Sequence, residues 1–123
     1  MNDAAEYLAY VASLILANTQ VEDWEIVREE AQGAIGLFRY RLTLQSGDML
    51  EMFERFAVRH YQVNVTKYSF HWQKPDGQLV MRWDNAAHHP EISTYPHHRH
   101  DNNESNVLPG PAVSASDILA LIG

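Results

Sequence analysis

Five of the seven histidines in this chain lie within one stretch of sixteen residues, 85–100. Imidazole is the only side chain whose unperturbed pKa lies near neutral pH, and it is the commonest metal ligand in proteins. The stretch ends in the run His97-His98-Arg99-His100, and the tripeptide Arg82-Trp83-Asp84 precedes it. These residue types can transfer protons, bind a metal ion or hold an anion, so the functional site is expected here.

A metal site is one chemistry that the stretch could support. Structural zinc sites usually contain thiolates, and the chain has no cysteine. The fixed positive charge of Arg99 would also repel a divalent cation. We therefore expect no cofactor, and a divalent metal remains the alternative. Its ligands would be His88, His97 and His100.

Cleavage of an RNA phosphodiester is the second chemistry. It needs a base for the 2′-hydroxyl, an acid for the leaving 5′-oxygen and cations for the phosphorane charge. His97 or His100 would transfer the proton, arginine and lysine would hold phosphate, and an exposed ring could stack on a base. The expected catalytic residues are His71, Arg82, Asp84, His97, His98 and His100. The expected substrate-binding residues are Lys67, Tyr95 and Arg99.

A structural role is the third interpretation of the same residues. Pro90 and Pro96 stiffen the histidine-rich stretch, and at least half of its imidazoles could bind backbone groups in a packed loop. Asp84 suits the orientation of a cation or a histidine better than it suits the part of a base. On this interpretation the stretch would contribute to stability alone.

The strands that lead into the stretch decide which side chains share a face. The turn Lys74-Pro75-Asp76-Gly77 connects a strand over 61–73 to one over 78–84. Side chains alternate along each strand, so an apolar face and a polar face result. The apolar face carries Tyr68, Phe70, Trp72, Leu79, Met81 and Trp83. The polar face carries Lys67, Ser69, His71, Arg82 and Asp84, and strand order decides whether Arg39 and Arg41 join it.

The spacing of apolar residues in the rest of the chain predicts an α+β fold in one domain, 1–123. Apolar residues recur at three- and four-residue spacing over 4–17, which indicates a helix capped by Asp3. Strands are predicted over 24–28, 38–44 and 49–58, and a short helix over 115–122. The expected architecture is an N-terminal helix packed on an antiparallel meander of four to five strands, then a histidine-rich loop and a C-terminal helix.

The composition of the chain argues against several classes of protein. The lack of cysteine, of a secretory signal and of a membrane-length apolar run favours a cytoplasmic protein without membrane contact. The net charge of −7 argues against a protein that coats nucleic acid. Residues 55–100 nevertheless contain six bases and three acids, so a local cationic face is possible.

Several motifs together resemble the TumE family, small toxins of bacterial and archaeal toxin–antitoxin pairs. The similarity covers residues from about 35 to the C-terminus. The motifs are Gly47-Asp48, Glu54-Arg55-Phe56, Lys67-Tyr68-Ser69-Phe70-His71-Trp72, Asp76-Gly77, Arg82-Trp83-Asp84-Asn85-Ala86, His88-His89-Pro90 and Pro96-His97-His98-Arg99-His100. The resemblance implies a toxin whose partner is a cognate antitoxin encoded by an adjacent gene.

The favoured function is therefore a toxin that acts on RNA by metal-independent His/Arg acid–base chemistry. One alternative is a metal-dependent hydrolase that uses the histidine-rich loop. The other is a non-enzymatic module whose polar face binds a protein. A homo-oligomer is compatible with each of the three.

Overall fold

The computed structural model describes residues 1–123. It contains one seven-stranded antiparallel sheet, and a helix lies at each end of the chain. The strands lie side by side in chain order, as expected when short turns connect antiparallel neighbours. Neither helix has the length and apolarity needed to cross a bilayer. The elements are α1 Ala4–Ala17, β1 Val21–Gln32, β2 Ile35–Leu44, β3 Met49–Arg59, β4 Gln62–Gln73, β5 Leu79–Asp84, β6 His98–Asp101, β7 Val107–Pro109 and α2 Ala115–Ile122.

The α+β prediction is confirmed, but the sheet has seven strands where four to five were expected. Strand β1 extends well beyond the predicted 24–28. Strands β6 and β7 lie where only a loop was predicted. The sequence His98-Arg99-His100-Asp101 is polar on both faces, so it shows no hydrophobic alternation. It is a strand because the edge of β5 offers a hydrogen-bonding ladder to it.

Both helices cover the same face of the sheet. Helix α1 begins where the Asp3 side chain accepts from the backbone N–H of Glu6, and it ends at Ala17 with Asn18 as its C-cap, so the predicted range 4–17 is confirmed. Helix α2 begins with a capping box between Ser114 and Asp117. The buried residues of both helices belong to one apolar cluster with residues of strands β2 to β5. The opposite face carries no helix, and we call it the open face.

The predicted division of the β4–β5 hairpin into two faces is confirmed over residues 67–72 and 81–84. Leu79, which was predicted for the apolar face, instead pairs with Gln73 and lies outside the apolar cluster. Phe70 lies opposite Trp83 and belongs with it to the apolar cluster. His71 lies opposite Arg82 on the open face. A bulge after Trp72 shifts the register at the turn end of the hairpin. The hairpin therefore fixes one wall of the helix-covered core and one wall of the open face.

Candidate functional site

Two rows of side chains cross the open face. Residues directly opposite one another in antiparallel strands share a face and lie about 5 Å apart. One row, from β2 to β6, is Arg39, Phe53, Ser69, Asp84 and His98. The next row is Arg41, Glu51, His71, Arg82 and His100. Strand order thus places Arg39 and Arg41 on the same face as the polar residues of the hairpin.

A cleft of about 440 Å³ lies between these rows. We call it the open-face cleft. Three cationic side chains, Arg39, Lys67 and Arg82, line it together with two carboxylates. His71 is the one imidazole in its lining. The full lining is Arg39, Glu51, Phe53, Lys67, Tyr68, Ser69, His71, Gln73, Arg82, Asp84 and Ala86.

His71 is half-buried near the C-terminal end of strand β4. Its Nε2 lies 3.1 Å from Oε1 of Gln73, which is two residues along the same strand and therefore on the same face. Arg82, on strand β5, is the residue directly opposite His71. An imidazole that one amide orients and that faces a cation can exchange a proton with a bound anion.

The cations around the cleft differ in how far they are neutralised. Glu51 pairs with Arg39 at 3.5 Å and with Arg41 at 3.1 Å, so one carboxylate serves two guanidiniums. The guanidinium of Arg39 also lies over the ring of Phe53, 4.7 Å from its centroid. Lys67 lies opposite another cation, Arg55, in the β3–β4 register. Arg82 pairs with Asp84 at 3.3 Å and with Glu104 at 3.6 Å. Lys67 is therefore the lining cation without an ion pair, and the positive charge of the cleft is local in a chain that is acidic as a whole.

Asp84, His98 and His100 form a buried cluster at the β5–β6 end of the open face. Their side chains are 6%, 2% and 9% exposed. His98 Nε2 lies 3.0 Å from Asp84 Oδ1, and His100 Nε2 lies 3.6 Å from Asp84 Oδ2. We call these three residues the Asp84 cluster. Its ligand-type atoms all lie within 4.8 Å of one another.

The structure separates His97 and Arg99 from the other expected site residues. Along β6 the side chains alternate, so Arg99 lies opposite Trp83 on the helix-covered face and donates from Nε to the Pro109 carbonyl at 3.3 Å. His97 stacks on Tyr68, with its Nδ1 2.9 Å from the phenol oxygen. Neither residue lines the open-face cleft.

Two further expected residues lie outside both groups. Tyr95 and His88 are exposed side chains of the segment 85–97, and neither lines the cleft. Of the three metal ligands expected from the sequence, only His100 belongs to the Asp84 cluster. The structure does bring together His71, Arg82, Lys67 and Asp84 around one cleft.

Tyr68 connects the cleft to the helix-covered core. Burial raises the pKa of its phenol to about 12, and the carboxylate of Asp84 adds to the increase, while a backbone hydrogen bond at Val113 opposes it. The phenol therefore stays neutral at physiological pH. It acts as a fixed hydrogen-bonding group beside His97 rather than as an acid–base catalyst.

Several residues that matter here were missed in the sequence. Glu51 belongs to the cleft and was not among the expected residues. His89, already noted in the motif His88-His89-Pro90, packs edge-on against His98 with ring centroids 5.1 Å apart. Glu54 is fully buried among the core residues of β3. A charged residue within the apolar run Met52-Phe53-Glu54-Arg55-Phe56 is the signal that could have identified it.

A family model described as Toxin TumE matches residues 11–123. The chain belongs to the TumE family. The resemblance predicted from the sequence motifs is thereby confirmed, and this TumE chain is a toxin by family. No curated protein and no solved structure matches it. Much of the sequence that suggested TumE, 67–72 and 82–86, lies in the β4–β5 hairpin and just beyond it, along the open-face cleft.

Proposed function

We propose that this TumE toxin cleaves RNA in the open-face cleft, and that a cognate antitoxin from an adjacent gene restrains it in the cytoplasm. One observation carries the proposal. A single imidazole, His71, lies among three cationic side chains in a cleft on the face that no helix covers. This combination suits an anionic substrate that reacts by proton transfer.

The proposed reaction is metal-independent. His71 takes the proton from a ribose 2′-hydroxyl, the 2′-oxygen bonds to phosphorus, and the bond from phosphorus to the 5′-oxygen breaks. The 5′-oxygen leaves with a proton from water, and the RNA keeps a 2′,3′-cyclic phosphate. Arg82, directly opposite His71, stabilises the additional negative charge of the phosphorane.

The distance between Lys67 and His71 suggests which phosphate Lys67 binds. Four residues separate it from His71 along β4, which corresponds to about 13 Å at the usual rise of a strand. This is a separation between backbone positions in one cleft, and it fits two neighbouring phosphates better than a single one. Lys67 and Arg39 therefore hold neighbouring phosphates and align the strand across the cleft.

The burial of the other histidines supports the choice of His71 as the proton carrier. A catalytic group must reach the substrate, and His98 and His100 are 2% and 9% exposed. His97 lies on the other face against Tyr68. The proton transfer that the sequence assigned to His97 or His100 is therefore proposed for His71.

Growth and RNA assays on one pair of variants test the proposal. Cells expressing the wild-type chain should stop growing, and co-expression of the adjacent gene product should restore growth. His71→Ala should abolish toxicity, whereas His88→Ala, an exposed histidine outside the cleft, should remain toxic. The RNA fragments should carry 2′,3′-cyclic phosphate ends and should form in the presence of a chelator.

Equal toxicity of His71→Ala and wild type, at matched protein level, would remove His71 from the site. Growth arrest with intact RNA would instead support the non-enzymatic binding module. Cleavage that stops on chelation, at a temperature at which the chelated protein is still folded, would support the metal-dependent hydrolase.

A further inference from the structure

We propose that the Asp84 cluster binds one divalent transition-metal ion, held by Asp84, His98 and His100. The proposal goes beyond RNA cleavage, because the proposed reaction uses His71 and no residue of the cluster as a proton carrier. It assigns a stabilising ion to the part of the molecule that the sequence describes only as a histidine-rich loop.

The spacing of the ligand atoms fits an ion. Ligands about 2.1 Å from a tetrahedral metal are about 3.4 Å from one another. His98 Nε2 and Asp84 Oδ1 are 3.0 Å apart, and His100 Nε2 and Asp84 Oδ2 are 3.6 Å apart. These two distances lie on either side of the expected value but run to different oxygens of the Asp84 carboxylate, and all the ligand atoms lie within 4.8 Å of one another. A rotation of the carboxylate and of the two imidazoles would bring one oxygen and both Nε2 atoms around a single ion.

The hydrogen bonds at the far sides of the imidazoles favour metal ligation. Nδ1 of His98 is 3.0 Å from the carbonyl of Pro96, and Nδ1 of His100 is 2.8 Å from the carbonyl of Glu104. A carbonyl can only accept, so each Nδ1 carries a proton. Each Nε2 of a neutral imidazole then presents a lone pair toward the Asp84 carboxylate. A backbone carbonyl on the second ring nitrogen is the usual support of a metal-binding histidine.

The carboxylate is oriented in the same way. Asp84 Oδ1 accepts from the backbone N–H of Ala86 at 3.0 Å. Arg82 Nε lies 3.3 Å from Oδ2 in an ion pair without a hydrogen bond, and the same guanidinium pairs with Glu104 at 3.6 Å. Glu104 thus offsets the charge of Arg82 beside the cluster. Arg99, whose charge argued against a metal in the sequence, projects from the other face of β6.

The position of the ligands indicates a structural rather than a catalytic ion. Asp84 ends β5, and the two histidines lie on β6, so an ion would join the two strands that flank the segment 85–97. All three ligands are buried, as in closed structural sites. His89 packs against both imidazoles. Because its Nδ1 faces Glu91 at 3.3 Å, its other ring nitrogen, Nε2, could supply a fourth ligand. Imidazole and carboxylate ligands suit zinc and its first-row neighbours.

Titration of Zn²⁺ into the untagged, chelator-treated protein tests the proposal directly. Calorimetry should show one ion per chain, and the melting temperature should rise by about 10 °C when free Zn²⁺ exceeds its Kd a hundredfold. His100→Ala and Asp84→Asn should each weaken binding by at least about a hundredfold. His88→Ala and His97→Ala, neighbouring histidines outside the cluster, should bind as the wild type does.

A second measurement on the wild type keeps the test valid where a variant fails to fold. Nitrogen-15 NMR of the imidazoles should show that Zn²⁺ shifts Nε2 of His98 and His100 while each Nδ1 retains its proton. The absence of binding, unchanged Nε2 resonances, or equal loss in His88→Ala and His100→Ala would overturn the proposal. Because His71→Ala should keep the ion while losing toxicity, the failure of RNA cleavage and the failure of metal binding are distinguishable.

Discussion

At the scale of single residues, Glu54 shows how a carboxyl group can belong to a protein core. Its side chain is fully buried and accepts from the Tyr7 hydroxyl at 2.5 Å and from the backbone N–H of Ala115 at 2.8 Å. These bonds join α1 and α2 to β3. Burial raises the pKa of Glu54 to about 7, although both hydrogen bonds act to lower it.

This raised pKa predicts a pH-dependent stability. The folded chain binds more protons than the unfolded chain between pH 4.5 and about 7. The stabilising contribution is therefore complete below pH 4.5 and is lost as the pH rises through 7. The loss should be on the order of 3 kcal/mol for a shift of this size. Urea unfolding of wild type and Glu54→Gln from pH 4 to 9 should show it in the wild type only.

Every other ionisable group is common to both of these proteins, so the difference between the two curves isolates Glu54. Parallel curves would mean that Glu54 is ionised in the folded state. In that case the two hydrogen bonds, rather than burial, would decide its protonation.

At the scale of elements, the β4–β5 hairpin separates stability from function by the face on which a side chain lies. Trp83 is 7% exposed within the apolar cluster, and its neighbour Arg82 projects into the cleft. Under the proposed function, two consecutive residues of one strand therefore have different tasks. The alternation of a strand makes such a division possible over a single peptide bond.

Paired substitutions should reveal this division. Trp83→Ala should lower the free energy of unfolding by roughly 3–5 kcal/mol, because it leaves a large cavity in the core. Arg82→Ala should lower it by about 1 kcal/mol or less, the range of partly exposed ion pairs, and should abolish toxicity. Chemical unfolding and the growth assay measure the two effects. If the costs are reversed, the faces have been assigned the wrong way round.

At the scale of the whole molecule, charge is distributed unevenly. The chain carries a net charge of −7, yet three cations line the open-face cleft. An acidic protein repels RNA over most of its surface, and the cleft is where attraction can act. Binding should therefore be local and of modest salt dependence, unlike that of a basic protein that coats nucleic acid.

The expected salt dependence of RNA binding can be stated as a slope. Three phosphate contacts on a single strand predict a slope of about −2 for log K against log salt concentration. Lys67→Ala should make that slope shallower by about 0.7, the value of one contact. Lys74→Ala, in the exposed turn beyond β4, is the control and should leave it unchanged. A 2′-O-methyl RNA, which lacks the attacking hydroxyl, permits the measurement without cleavage. Equal effects of the two substitutions would place the RNA elsewhere.

The sequence by itself determined the elements with a strong hydrophobic period and the side chains that share a face within the β4–β5 hairpin. Helix α1 and strands β2 to β5 follow from local alternation, because apolar residues in these segments mark the buried face directly. Family membership also followed from motifs alone. Periodicity is a property of neighbouring residues, so it needs no knowledge of the partner strand.

Only the tertiary structure decided which histidines meet. His97, His98, Arg99 and His100 look like one functional group in the sequence, but pairing of β6 with β5 turns alternate members to opposite faces. His98 and His100 join Asp84, while His97 and Arg99 pack on the helix-covered side. The physical reason is that a strand with polar side chains on both faces has no hydrophobic alternation from which it could be predicted. Its state is set by hydrogen bonds to a neighbouring strand that is distant in the chain.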